Sequence, residues 1–153
     1  MEPVPAGALA VCLTACGAEE DPSSGKSPST SKKYTIGICQ LLEHEALDSA
    51  TKGFKDALTE KLGKDNVDFD EQNAQGESTN CSTICNNFVT NNVDLIMANA
   101  TGALQAASQA TADIPILGTS VTDYATALNI SNWSGKTGTN VSGTSDLAPI
   151  DQQ

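Results

Sequence analysis

Residues 93–120 read VDLIMANATGALQAASQATADIPILGTS, and three elements stand in them end to end. Residues 93–100, VDLIMANA, are an apolar run of strand length. Residues 101–113, TGALQAASQATAD, follow as an alanine-rich and therefore close-packing helix. Residues 114–120, IPILGTS, are again a strand, and Pro115 suits its first turn or an edge better than a centre, because proline cannot donate to a ladder. Strand, helix and strand with short joints make one βαβ unit, and such a unit lays its strands parallel.

Working outward, the alternation continues on both sides. Residues 33–41, KYTIGICQL, are a β-rich run expected to be buried on both faces. Residues 45–63, EALDSATKGFKDALTEKLG, set Leu47, Ala50, Phe54, Ala57, Leu58 and Leu62 on one helical stripe that stops at Gly63. Residues 66–73, NVDFDEQN, alternate as a second strand. In residues 78–92, STNCSTICNNFVTNN, the positions Cys81, Ile84, Cys85, Phe88 and Val89 make a second amphipathic helix. After residue 120, DYATALNISNW is a weak helix or irregular segment, and a fifth short strand lies around Val141. The fold class is α/β, a parallel sheet with helices on both faces.

Such sheets bind ligands beyond the carboxyl ends of their strands. Those ends are Gln40–His44, Asn73–Gly76, Asn99–Gly102, Gly118–Asp123 and Ser145–Asp146. At Thr101-Gly102 a strand passes into a helix, where free backbone N–H groups favour an anion such as a carboxylate. Glu43, Asp123 and Asp146 are candidates to receive an ammonium group from the other side, although each equally suits a solvated loop or an N-cap. An α-amino acid carries both groups. His44 is the only histidine; it faces either a ligand or solvent, and no Ser/His/Asp spacing accompanies it.

Composition narrows the classes further. The 153 residues suit one domain, and a net charge of −11 with no Lys/Arg cluster sets nucleic acid aside as a partner. Cys39, Cys81 and Cys85 are read as small buried hydrophobes rather than metal ligands or a disulfide. GKTGTNVSG lacks the spacing of a phosphate-binding loop, and no cofactor is expected.

The first 33 residues read differently. AGALAVCLTA, residues 6–15, is too short to span a bilayer and matches the apolar region of a secretory signal, although MEPVP supplies no basic residue ahead of it. Leu13-Thr14-Ala15-Cys16 resembles a bacterial lipobox, which makes residues 1–16 a truncated lipoprotein signal and Cys16 the lipidated residue. Residues 17–33, rich in Ser, Pro, Gly and charge, are then a flexible tether. The expected place is extracytoplasmic, held to a bacterial membrane by that lipid.

Four stretches carry a resemblance: IGICQLLEHEALDSATKGFKDAL (36–58), EQNAQGE (71–77), VDLIMANATGALQAASQATADIPILGTSVTDY (93–124) and NVSGTSDLAPIDQQ (140–153). Together they are similar to substrate-binding lipoproteins of ABC importers, in the group associated with tryptophan and tyrosine uptake. The resemblance implies a periplasmic-binding-protein-like lobe over residues 34–146 with strand order 2-1-3-4-5. A ligand would sit between this lobe and a second one, and an ABC permease would be the partner. It implies ligand contacts from Gln40, Glu43, His44, Ala100, Thr101, Ser120, Thr122, Asp123, Ser145 and Asp146, and no catalysis. Thr119, Ser120 and Tyr124 depart from the group's usual residues, which leaves the ligand's identity open. Members of the group are longer, so residues 147–153 are expected to begin a crossover to a second lobe. Two other readings share the pattern: a flavodoxin-like single-domain enzyme or flavin carrier, and a sensor ectodomain.

Overall fold

The computed structural model describes residues 32–146. The expected signal with Cys16, residues 17–31 of the expected tether, and the expected crossover at 147–153 lie outside the described residues.

The elements run β1 (Tyr34–Gln40), α1 (Glu45–Leu62), β2 (Val67–Asn73), α2 (Ser78–Thr90), β3 (Leu95–Asn99), α3 (Thr101–Ala110), β4 (Ile116–Val121), α4 (Tyr124–Ala127) and β5 (Val141–Ser145). A short 3₁₀ turn, Lys64–Asn66, leads into β2. The five strands form one sheet in the order β2-β1-β3-β4-β5, and every neighbouring pair is parallel.

Period-two alternation along the central strands sorts the core into two layers. Cys39, Ile96 and Ala98 face α2 and α3, where they pack with Cys81, Cys85, Phe88, Leu104 and Ala107. Ile36, Ile38 and Met97 face the other way, against Phe54, Leu58 and Leu62 of α1. Among the described residues, Cys39, Cys81 and Cys85 are free thiols in the first layer. Phe88 packs flat on β1 where Gly37 has no side chain; a Cβ there would come within 2.7 Å of the ring.

Two elements differ in detail from the sequence expectation. Thr51 is the one fully buried residue of α1. The stripe of Leu47, Ala50, Phe54, Leu58 and Leu62 is half-buried, and Ala57 is exposed, because a single helix covers that layer among the described residues. Pro115 sits just before β4, an interior strand, where its carbonyl accepts from Ile96 N at 2.9 Å. Proline is tolerated there because an acceptor, not a donor, is required. The last two residues of the expected tether are engaged: Lys32 pairs with Asp94 and Lys33 with Asp68, each at 2.7 Å.

Candidate functional site

Parallel pairing puts all five carboxyl ends on one edge, and the register aligns them closely. Gln40 is level with Asn73 on one side and Asn99 on the other, Asn99 is level with Thr119, and Val121 with Ser145. Gln40, Thr101 and Asp123, distant along the chain, therefore lie along one rim.

Backbone hydrogen bonds stitch the rim laterally. Gly76 N donates to Leu41 O at 2.7 Å, Leu41 N to Asn99 O at 3.2 Å, Ala100 N to Thr119 O at 2.9 Å, and Asp146 N to Val121 O at 3.2 Å. Ser145 Oγ donates to Thr122 O at 2.9 Å. Each loop is thus fastened to its neighbour, which gives the edge a defined shape rather than a fringe of independent turns.

Three non-glycine residues on this rim hold positive φ: Gln75 at 55°, and Ala100 and Ser120. Ala100 has φ 92° and ψ 160°, a region that glycine adopts readily and a side chain does not. Ser120 has φ 55° and sits in a bulge, for three steps of β4 from Gly118 to Val121 face two steps of β5 from Gly143 to Ser145. Ala100 and Ser120 lie at positions named from the sequence as ligand contacts.

The strained Ala100 turns the chain sharply into α3. That helix has no side-chain cap, and its first internal bond is Leu104 N to Ala100 O at 3.0 Å. The N–H groups of Thr101, Gly102 and Ala103 therefore point forward from the helix end without a helical partner, the arrangement that attracts a carboxylate. Thr101 is exposed and Ala100 half-buried.

The acids and His44 frame this point. Asp123 caps α4: Oδ1 accepts from Ala125 N at 2.9 Å and Thr126 N at 3.3 Å, and Oδ2 from Thr126 Oγ1 at 2.6 Å. The Thr126 hydroxyl, then the backbone N–H groups, hold its carboxyl below the usual range, so it stays anionic while already engaged. His44 caps α1, its Nδ1 accepting from Ala46 N at 3.2 Å, which leaves Nε2 to face outward. Glu43, Thr122 and Asp146 are exposed. A cavity of about 450 Å³ opens beside Glu43, His44 and Asp48, and another lies between Tyr124, Trp133 and β5 at the far end.

Gln40 has a different place. Its side chain is buried and fully spent: Nε2 donates to Asp48 Oδ1 at 2.6 Å and Leu42 O at 3.0 Å, while Oε1 accepts from Thr51 Oγ1 at 2.7 Å. Asn99, which the sequence placed on the rim but not among the contacts, and Thr51, which it left out of the site, belong to the same network. The available signal was a polar residue closing an apolar strand, as in LIMAN. Among the described residues, no cluster of His, Cys, Asp or Glu is arranged to hold a metal ion.

The family model for ABC transporter substrate binding proteins matches residues 35–153. Over 96% of its length the chain is 43% identical to a tyrosine-binding protein of Clostridioides difficile, covering 44% of that protein. It is similar to the ligand-free, open structure of a Clostridium difficile substrate-binding protein with adhesive properties. There the identity is 45% and the TM-score 0.72, over 77% of this chain and 40% of that one. It also resembles an ABC domain from Streptococcus pneumonia in complex with L-Trp, at 36% identity and TM-score 0.73, covering 80% of this chain and 41% of that one. The chain thus spans less than half the length of these relatives.

Proposed function

The chain belongs to the family of ABC transporter substrate-binding proteins, and on that premise we propose that it is one jaw of a receptor for a free aromatic amino acid. The observation that carries this reading is the stitched rim, which sets an uncapped helix start beside a row of exposed carboxylates. The ligand's carboxylate takes the N–H groups of Thr101 to Ala103. Its ammonium group faces Glu43, Asp123 or Asp146 through charge-assisted hydrogen bonds. Gln40 acts from beneath, by holding the loop it begins, rather than by touching the ligand.

The ligand class rests on two relatives, one named for tyrosine and one solved with L-Trp. A second lobe closes the other side of the ligand, an ABC permease receives it, and a lipid on Cys16 keeps the protein at the outer face of the membrane. No covalent step takes place on the ligand. A single lobe supplies half the walls of such a cleft, so its own affinity is modest.

Isothermal titration of the chain with the common amino acids tests this. Measurable binding of L-tyrosine or L-tryptophan, and none of small or basic amino acids, is expected. Indifference to every α-amino acid, or a preference for a ligand without an α-carboxylate, overturns the reading.

A further inference from the structure

Beneath the rim lies a buried polar cluster that does not belong to any helix cap. Asn99 ends β3 with 0% of its surface exposed. Its Nδ2 donates to Leu47 O at 2.8 Å and to Thr51 Oγ1 at 3.0 Å. Thr51 in turn donates to Gln40 Oε1 at 2.7 Å. Gln40 and Asn99 are register partners on neighbouring strands, so their side chains emerge together on the layer that α1 covers.

This cluster is costly. Asn99 Oδ1 has no hydrogen-bond partner, and a buried orphan acceptor is a net loss that an apolar side chain of similar size would avoid. Packing alone therefore does not explain an asparagine here. Its bonds to Leu47 O and Thr51 Oγ1 reach the first turns of α1, a longer one at 3.5 Å reaches Gln40 Oε1, and its own carbonyl accepts from Leu41 N at 3.2 Å. The residue is held from three directions, and the next residue in the chain is Ala100, whose φ of 92° needs over-determination to persist.

We propose that Asn99, braced by Thr51 and Gln40, is the positioning residue that keeps Ala100 in its strained conformation and so aims the N–H groups of Thr101 to Ala103. It acts through the turn and makes no contact with ligand. The cluster also ties that turn to the Leu41–His44 loop, because Gln40 Nε2 donates to Leu42 O. The turn at Ala100 and the loop that carries Glu43 are thereby set by one buried brace. This inference rests on the amino-acid receptor reading for its ligand, but not for its geometry.

The test uses Thr51→Val, which keeps shape and removes the hydroxyl, Thr51→Ser, which restores it, and Asn99→Ala as a stronger lesion. Affinities for L-tyrosine and for tyramine, which lacks the carboxylate, are measured by NMR titration of each chain. Amide hydrogen exchange at Leu41, Ala100 and Leu104 is followed alongside Ile96, whose bond to Pro115 O lies at the far end of β3. Thr51→Val is expected to cut the preference for tyrosine over tyramine roughly tenfold, the worth of one well-made charged hydrogen bond. Exchange at the three rim amides rises while Ile96 is unchanged, and Thr51→Ser restores both. Equal losses for the two ligands, or faster exchange at Ile96 as well, would assign the cluster to general stability and overturn the proposal. A wild-type chain that binds neither ligand removes the receptor reading. The exchange data then decide alone, local acceleration supporting the brace and unchanged rim amides overturning it.

Discussion

Tyr124 lies across Gly143 with its phenol so near the strand that a Cβ on the glycine would overlap the hydroxyl oxygen. Gly118, level with Gly143 on the adjoining strand, is covered by the same ring. The phenol donates to Thr144 O at 3.2 Å, so one aromatic side chain clamps β4 to β5 directly under the Ser120 bulge. Gly143→Ala is expected to destabilise the fold by about 1–3 kcal/mol, the usual cost of forcing extra volume into a packed site. Urea denaturation measures it. The Gly118 carbonyl stands in the way as well, so a neutral result would show that both the ring and the adjoining strand have room to move.

Ala100→Gly should act in the opposite direction. Glycine adopts φ near 92° without the steric penalty that alanine pays. Relief of about 1–3 kcal/mol of strain exceeds the roughly 0.4–1 kcal/mol that glycine adds in unfolded-chain entropy. A higher urea midpoint is the expected outcome, and a lower one would contradict the strained geometry of the turn.

Much of the fold is legible in the sequence, since periodicity alone separates strand from helix and Gly63 marks where α1 stops. The common rim is legible too, because parallel strands leave no choice about where their carboxyl ends gather. Tertiary neighbours are the part that periodicity does not carry. That Gly118 and Gly143 are register partners under Tyr124 depends on sheet order and on a one-residue bulge. The same is true of Gln40: at a strand's carboxyl end it reads as a ligand contact, yet its cross-strand neighbour Asn99 and the overlying Thr51 absorb its hydrogen-bonding groups. Asp123 reads either as a ligand-facing acid or as an N-cap, and only the turn into α4 shows its carboxylate engaged as a cap. The half-open stripe of α1, with Ala57 in solvent, reflects how much of one sheet face is covered, which no local pattern encodes.

Acid should weaken the amino end of the sheet through Asp94. The hydrogen bond from Lys32, then that from Thr35 N, holds the carboxyl below its ordinary value of 3.8. A depressed folded-state pKa contributes stability that is complete above that ordinary value and is lost as pH falls through the lower one. Denaturation midpoints measured from neutral pH downward should therefore drop below about pH 4, and Asp94→Asn should flatten that part of the curve. An unchanged slope in the variant would mean that the ion pair carries none of the acid sensitivity.

The buried thiols should be silent in the native state. Burial, then the neighbouring Cys39, pushes the Cys81 thiol up to about 12. Contact with Cys85 and burial raise Cys39 further. Since the thiolate is the reactive form, Cys39 and Cys81 should resist a water-soluble thiol reagent at neutral pH; Cys85 is shielded by its burial, and all three should react together on unfolding. Mass-resolved labelling reads this residue by residue. Fast native labelling of any of the three would contradict the packing of α2 on β1.

The central claim is that the carboxyl rim of the sheet is the ligand-facing jaw, and an amide-resolved NMR titration of the chain with L-tyrosine tests it most directly. The account predicts shifts concentrated at Thr101–Ala103 and at Ser120–Asp123, with none at Tyr34 or Asp94 on the opposite edge. Shifts centred on that opposite edge, or on the outer face of α2, would contradict it.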